Sequence, residues 1–525
     1  MITTMGELHA GVARMPRLAP LAIAAMLLAS ECRADWRVVP ALTVTERYTD
    51  NFRQQSNQEK QSQFISQITP SLSFAKTGKR LILNGKAQWR HFDYRDDDLR
   101  DTLDHSFEYD LSGRATLAQD LLYVDASASA RPNNISAFGP RVEDAPWLAS
   151  NQAKVKTWRI SPHLEQRYGQ QAALSLRYTR DRVEGADYRG FATTTGDSIA
   201  ANLASGAAFD VFGWGLSYVR QELDDSLNGE TASQVANANL RYALTPRVGL
   251  TATVGYDRYR FPALGGGNSE GRNWSYGVDW TPSSRTKLSA SLGRHFYGQT
   301  GAFSLVHRSR RTSWNIAYDD GITTSREEFL LPSAVDTGAL LDRLFATAIP
   351  DPAARREAIA AYIQNTGLPP SLANDINFLS NRYFHQRSLQ GSMAFKLART
   401  TGILSVSRSE RVALSSQEND SALLGSQLSS RNDNVRQKGA SATFDYRLNP
   451  RTNAVAAFGW SRSLSLTTDI EDTRRNVRIG LQHQLGRNVR ATVDLQRRTG
   501  AIGFSGRTSG PYQEHSISAS LSAQL

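Results

Sequence analysis

From Trp36 onward, apolar residues alternate with polar or small ones, a period of two that belongs to strands and not to helices. In the stretch beginning at Leu81, Leu83, Gly85, Ala87 and Trp89 share one face, while Asn84, Lys86, Gln88 and Arg90 share the other. The same holds around Trp158, where Ile160, Pro162 and Leu164 oppose Arg159, Ser161, His163 and Glu165. It holds again late in the chain: Val477, Ile479 and Leu481 oppose Arg478, Gly480 and Gln482, and Val489, Ala491, Val493 and Leu495 oppose Arg490, Thr492 and Asp494.

The connections carry a second regularity. Short turns such as Thr77–Arg80, Tyr168–Gln171, Leu244–Arg247, Pro282–Arg285, Leu448–Arg451 and Leu485–Asn488 alternate with longer polar stretches such as Asp96–Asp104, Asn133–Asn151, Gly265–Gly271 and Gln417–Asn434. Gly, Pro and Asn supply the turn geometry. A soluble sandwich also alternates, but here the polar face carries Arg, Lys and Gln repeatedly. The apolar face ends in aromatics (Trp89, Trp158, Tyr178, Tyr256, Trp280, Trp460), as interfacial girdles do. The pattern predicts an all-β transmembrane, antiparallel, up-and-down barrel of about 22 strands (range about 18 to 22), with both ends on the short-turn side. Its inward faces would be lined by Asn84, Lys86, Gln88, Arg90, Arg159, Arg177, Gln390, Arg478, Gln482, Arg490 and Gln496, the candidate pore-lining residues.

One segment, 336–377, breaks the period. Leu340, Leu341, Leu344 and Phe345 have helical spacing. A second helix is marked by Asp351 as N-cap, Pro352 at its first position and Gly367 beyond its end, with Pro369 and Pro370 after it. This helical insert belongs to one of the long loops. It would either fold into the lumen as a constriction or cap the mouth from outside.

Composition adds compartment. Arg14 and Arg17 precede an apolar run, Leu18–Ala29, followed by Cys32-Arg33-Ala34. That reads as a signal peptide over 1–34, too short to span a membrane, leaving 35–525 as the barrel. A lipoprotein reading of Cys32 needs a small residue before it, and Glu31 stands there. Cys32 is the only cysteine, so cleavage leaves a chain without disulfides or thiolate metal sites. Mean hydropathy is −0.44, which a barrel tolerates because only alternate residues meet lipid. Formal net charge is +11. In an exported chain this excess points to lipopolysaccharide phosphates or an acidic polymer and away from nucleic acid.

Catalytic chemistry finds little footing, and the chain is expected not to be an enzyme. Asp104-His105 and Glu514-His515 are adjacent acid–His pairs, yet neighbours on a strand point to opposite faces. No nucleophile motif, phosphate-binding glycine loop or His/Cys metal spacing occurs, so no cofactor or metal is expected. Asp96-Asp97-Asp98 and Asp319-Asp320 read as solvated loop acids sooner than as a Ca²⁺ site. An active uptake receptor is disfavoured, because strand pattern starts at Val38 and leaves no room for a preceding plug domain.

Three stretches resemble the outer-membrane barrels associated with PEP-CTERM/exosortase systems: Val44-Thr45-Glu46-Arg47-Tyr48-Thr49-Asp50-Asn51 with Ile68-Thr69-Pro70-Ser71-Leu72-Ser73, His307-Arg308-Ser309-Arg310-Arg311-Thr312-Ser313-Trp314, and Phe378-Leu379-Ser380-Asn381-Arg382. The C-terminal alternation of Ile517, Ala519, Leu521, Ala523 and Leu525 resembles the signal read by the barrel-assembly machinery, with Leu in place of the usual aromatic. The resemblance implies a role in exopolysaccharide export across the outer membrane beside a periplasmic polysaccharide-export protein, with polysaccharide as cargo. It supplies no site residues. A diffusion porin for small solutes and a structural or adhesive surface barrel use the same strands and stand as alternatives.

Overall fold

The computed structural model describes residues 36–524 apart from 97–100, 187–190, 228, 262–268, 331–336, 346–354, 356–357, 360–361, 364–376, 417–419, 421–431 and 503–508. The 1–34 segment lies outside the described residues. The strands are β1 (Trp36–Thr49), β2 (Gln63–Thr77), β3 (Leu81–Tyr94), β4 (His105–Ala118), β5 (Leu122–Asn134), β6 (Gln152–Tyr168), β7 (Ala172–Ala186), β8 (Thr194–Ser205), β9 (Phe212–Asp225), β10 (Gly229–Thr245) and β11 (Val248–Arg260). They continue with β12 (Glu270–Ser283), β13 (Thr286–His295), β14 (Gly298–Arg308), β15 (Thr312–Thr324), β16 (Tyr383–Lys396), β17 (Thr400–Ala413), β18 (Val435–Asn449), β19 (Thr452–Ser465), β20 (Glu471–Gln484), β21 (Val489–Ile502) and β22 (Ser509–Gln524).

Each strand pairs antiparallel with the next, and β22 returns to β1 from Ala41↔Gln524 to Thr49↔Ser516. The 22-stranded ring predicted from alternation and turn count is closed, and closure removes every free strand edge. The two ends differ. At one, all connections are short: Gly78 N–H donates to the Leu81 carbonyl at 3.0 Å, and Gly169 has φ +57°. At the other, the long loops gather, with two tight exceptions. The β9–β10 and β13–β14 hairpins turn on Gly229 (φ +71°) and Gly298 (φ +134°), conformations a Cβ would strain.

Outward side chains form an exposed apolar band. Trp36, Phe212, Tyr242, Trp280 and Tyr446 ring its short-turn margin, and Trp158, Tyr178, Tyr256 and Trp274 stand toward the long-loop end. Register fixes which faces these are. In β20, Val477, Ile479 and Leu481 are exposed, while Asp472, Arg474 and Gln482 on the alternate face are buried.

The insert between β15 and β16 turns into the lumen and does not sit above it. It opens with α1 (Ser325–Leu330), ahead of the segment that helical spacing marks, and continues with α2 (Thr337–Phe345). Leu340, Leu341, Leu344 and Phe345 pack with Ile359 against Ala394 of β16 and Ile403 of β17. Both wall residues lie near the short-turn end, so the insert descends through most of the barrel. Asp351, Pro352, Gly367, Pro369 and Pro370 of the expected second helix lie outside the described residues.

Candidate functional site in the lumen

All eleven candidate pore-lining residues fall on the inward parity of their strands. Ten of them form three groups and Gln390 stands alone. Asn84, Lys86, Gln88 and Arg90 run up β3, and Glu108 of β4 accepts from Gln88 at 2.7 Å and pairs with Arg90 at 2.8 Å. Arg478 forks onto Asp494 at 2.9 and 3.1 Å, Gln496 donates to Asn476 at 2.9 Å, and Arg490 donates to Gln484 at 3.2 Å, building a polar strip on β20–β21 that also holds Gln482. Gln390 is set apart on β16, with its side-chain oxygen buried and unpartnered. Arg159 and Arg177 stand on β6 and β7. Arg177 shares Asp125 with Arg114, at 3.1 and 2.6 Å, and His163 lies 3.6 Å from the same carboxylate.

Between these charged strips the wall is small and hydroxylic. Thr43 meets Ser522 at 2.8 Å, Thr45 meets Ser520 at 3.0 Å, and Ser405 meets Ser441 at 2.6 Å. Such side chains offer hydrogen bonds without filling the bore.

The long-loop end is sealed from within. The loop after β5 folds into the ring, where Ala145, Trp147 and Leu148 pack on Phe52, Ile65 and Phe92. Trp147 Nε1 donates to the Phe52 carbonyl at 2.9 Å, and Arg47 stacks over its ring. Across the mouth, Ser136 donates to Asn432 at 3.0 Å, and Arg141 donates to Ser461 at 2.6 Å. Arg498 pairs with Asp144 at 3.2 Å while holding Glu514, which also accepts from Thr49 and Gln54.

Sequence reading missed the residues that complete this seal, although it quoted them as a motif. Phe378 packs in one cluster with Phe138 and Phe384, Leu379 in another with Val155 and Val183. Ser380 donates to Asp420 at 2.7 Å, and Asn381 Oδ1 accepts from the Ala192 amide at 3.0 Å. Arg382, 1% exposed, pairs with Asp433 and donates to the Ser415 carbonyl. The signal was present: two apolar residues beside Ser-Asn-Arg in a stretch lacking strand alternation. Of the two acid–His pairs, Asp104 and His105 do meet, Oδ1 to Nδ1 at 2.8 Å on an exposed loop end, whereas Glu514 and His515 part. Glu514 is buried inward, whereas His515 is exposed and reaches Asp50, just beyond β1, at 3.3 Å.

α1 locks the insert to the far wall. Arg326 forms a buried ion pair with Asp181 of β7, and Arg159 Nη1 donates to the Leu330 carbonyl at 3.3 Å. A Cβ built on Gly196 would overlap Arg326 Nη2, so that glycine makes room for the guanidinium. Burial raises the Glu327 carboxyl of the same helix. Below α1, toward the short-turn end, Lys86, Asp110, Ser112 and Arg114 face the lumen and remain exposed. Among the described residues, buried packing gathers at the long-loop end, and exposed inward residues line a vestibule toward the short-turn end.

No family model matches the chain, and no curated protein matches it. Solved structures similar to it include the siderophore receptor PirA from Pseudomonas aeruginosa, at 10% identity over 94% of this chain and 81% of that one, TM-score 0.42. The FrpB iron transporter from Neisseria meningitidis is 9% identical over 95% and 83%, TM-score 0.47. The ferric enterobactin receptor PfeA from Pseudomonas aeruginosa is 10% identical over 93% and 81%, TM-score 0.45. At these identities and overlaps the likeness carries no argument about what the ring does.

Proposed function

We propose that this chain is an outer-membrane barrel that passes a hydrophilic polymer, an exopolysaccharide, from the periplasm to the cell surface through a lumen shut at rest. The observation that carries the transport reading is a closed ring of 22 strands with an apolar outer band, a hydrogen-bonding inner wall and a mouth sealed by the chain's own segments. A ring of this size has room for a large hydrophilic cargo once its interior segments move. Sugar units engage many weak hydrogen bonds, which suits a wall of hydroxyl, amide and guanidinium groups without one tight site. The choice of exopolysaccharide rests on the resemblance of the quoted motifs to barrels of PEP-CTERM/exosortase systems. A sealed mouth speaks against a permanently open diffusion porin.

In this reading the short-turn end faces the periplasm and receives a polysaccharide-export protein. The barrel-assembly machinery inserts the ring, and lipopolysaccharide surrounds its long-loop half. Deletion of the gene in the native host is expected to lower surface polysaccharide and raise the periplasmic pool. Unchanged polysaccharide in both compartments would sink the export reading and leave a surface barrel.

A further inference from the structure

One row of inward residues runs along the hydrogen-bonding direction from the vestibule to the α1 lock. Asn84 on β3 pairs in register with Ser112 on β4, Ser112 with Ser127 on β5, Ser127 with Arg159 on β6, and Arg159 with Asp181 on β7. The first four line one pocket of about 340 Å³, together with Arg114 and Asp125. Arg159 stands at its edge, between the pocket and the Asp181–Arg326 pair. Its Nη1 donates to the end of α1, while its Nε is buried without a hydrogen-bond partner.

Arginines crowd the pocket, with Glu165 beside His163 at its margin and Glu327 of α1 near Arg159. Arg114 and Arg177 share a single carboxylate, Asp125, with His163 also within 3.6 Å of it. Asp181 is already held by Arg326. Arg159 is a cation with spare donor capacity beside an amide, two serine hydroxyls and the Arg114 guanidinium. A guanidinium with free N–H groups is the natural partner of a planar carboxylate, and the flanking hydroxyl and amide groups suit the hydroxyls of a sugar ring.

We propose that this pocket binds the carboxylate of an acidic sugar unit, and that its occupant competes with α1 for Arg159. The inference rests on the transport reading and deepens it by naming the cargo as acidic. A bound carboxylate draws the Arg159 guanidinium off the Leu330 carbonyl, so binding loosens the lock on the far wall. A ligand shifts such an equilibrium only by its differential affinity for the two states, and here the shared group supplies that difference.

The test uses the purified mature barrel in detergent, titrated with a glucuronate-containing oligosaccharide and with a neutral glucan of equal length. Calorimetry is expected to show the acidic oligomer binding and the neutral one not. Arg159→Gln should weaken acidic binding by about tenfold, the loss of one charge-assisted contact, with heat-modifiable gel mobility reporting that the ring still folds. Amide exchange over 325–330 is expected to speed up when the acidic oligomer is present. Equal binding of both oligomers, or unchanged affinity in Arg159→Gln, overturns the site. Binding with exchange unaltered overturns the competition with α1. If gene deletion leaves polysaccharide unchanged while the acidic oligomer still binds through Arg159, the export reading fails and the anion site stands.

Discussion

Gly196 shows how one side chain's absence holds the lumen shut. It lies on β8 beneath the Arg326 guanidinium, with Leu223 beside it. Gly196→Ala would push the guanidinium off Asp181 and leave a buried carboxylate without its cation. Breaking such a contact costs about 2 kcal/mol when the flexible partner can partly relax. The ladder between β7 and β8 needs no glycine there, so the ring should form normally. Amide exchange over 325–330 should then rise by about thirtyfold, and unchanged exchange would remove Arg326 from the lock. Asp420 carries a second residue-scale expectation. Burial lifts its carboxyl to about 6, against hydrogen bonds from the Asn381 amide and Ser380 that pull it down. The folded pKa is thus raised above the unfolded value of about 3.9. Stability from this group is fully present below the unfolded pKa and is lost as pH rises through about 6. The Ser380–Asn381 anchor should tighten from pH 7 to pH 5, seen as greater intrinsic-rate-corrected exchange protection of the Asn381 amide. Asp420→Asn should flatten that dependence, and a slope unaltered by the substitution would assign the titration elsewhere.

At the scale of elements, the strands were legible because each declares itself locally. Alternation sets the faces, and turn residues such as Gly78 and Gly169 mark the short connections. Leu340, Leu341, Leu344 and Phe345 announced α2 by spacing for the same reason. What alternation could not supply was where the non-strand segments go. Ser136 meets Asn432 and Arg141 meets Ser461 of β19, contacts between residues roughly 300 positions apart, three of them in segments that read as solvated loops. Their polar residues are buried in one another's company, and composition alone reads such residues as exposed. The inward Arg and Gln positions were readable from parity, but not the pocket that joins Asn84 to Arg159 across four strands. α2 gives the element-scale prediction. Leu341 is fully buried against the β16–β17 wall. Leu341→Asp places a charge in that cluster at a cost of about 3 to 5 kcal/mol. No strand ladder includes α2, so the ring should still resist boiling-free electrophoresis while protease gains access to 337–345. Loss of the ring itself would show that the insert is needed for closure.

The whole molecule is asymmetric along its axis, and this asymmetry is its most directly testable property. The ring is continuous, so a probe can reach the inner wall only through one of two ends. At the long-loop end the Trp147 layer, the Phe378–Leu379 pair and the Arg382 and Arg498 ion pairs close the section. Below them, Ser112 is inward and exposed, on the open side of the vestibule opposite the β16–β17 wall that α2 covers. Cys32 lies in the expected signal peptide, so a single introduced thiol would stand alone in the mature chain. Ser112→Cys replaces one small polar side chain with another and should leave folding intact. With the short turns in the periplasm, a membrane-impermeant maleimide should label this thiol in osmotically opened cells and fail to label it in intact cells. Ser463→Cys, at a buried position within the seal, should react in neither. Labelling of Ser112→Cys in intact cells at the same rate as in opened ones would mean that the mouth is open in the membrane, and that the loops seen folded inward do not hold it closed there.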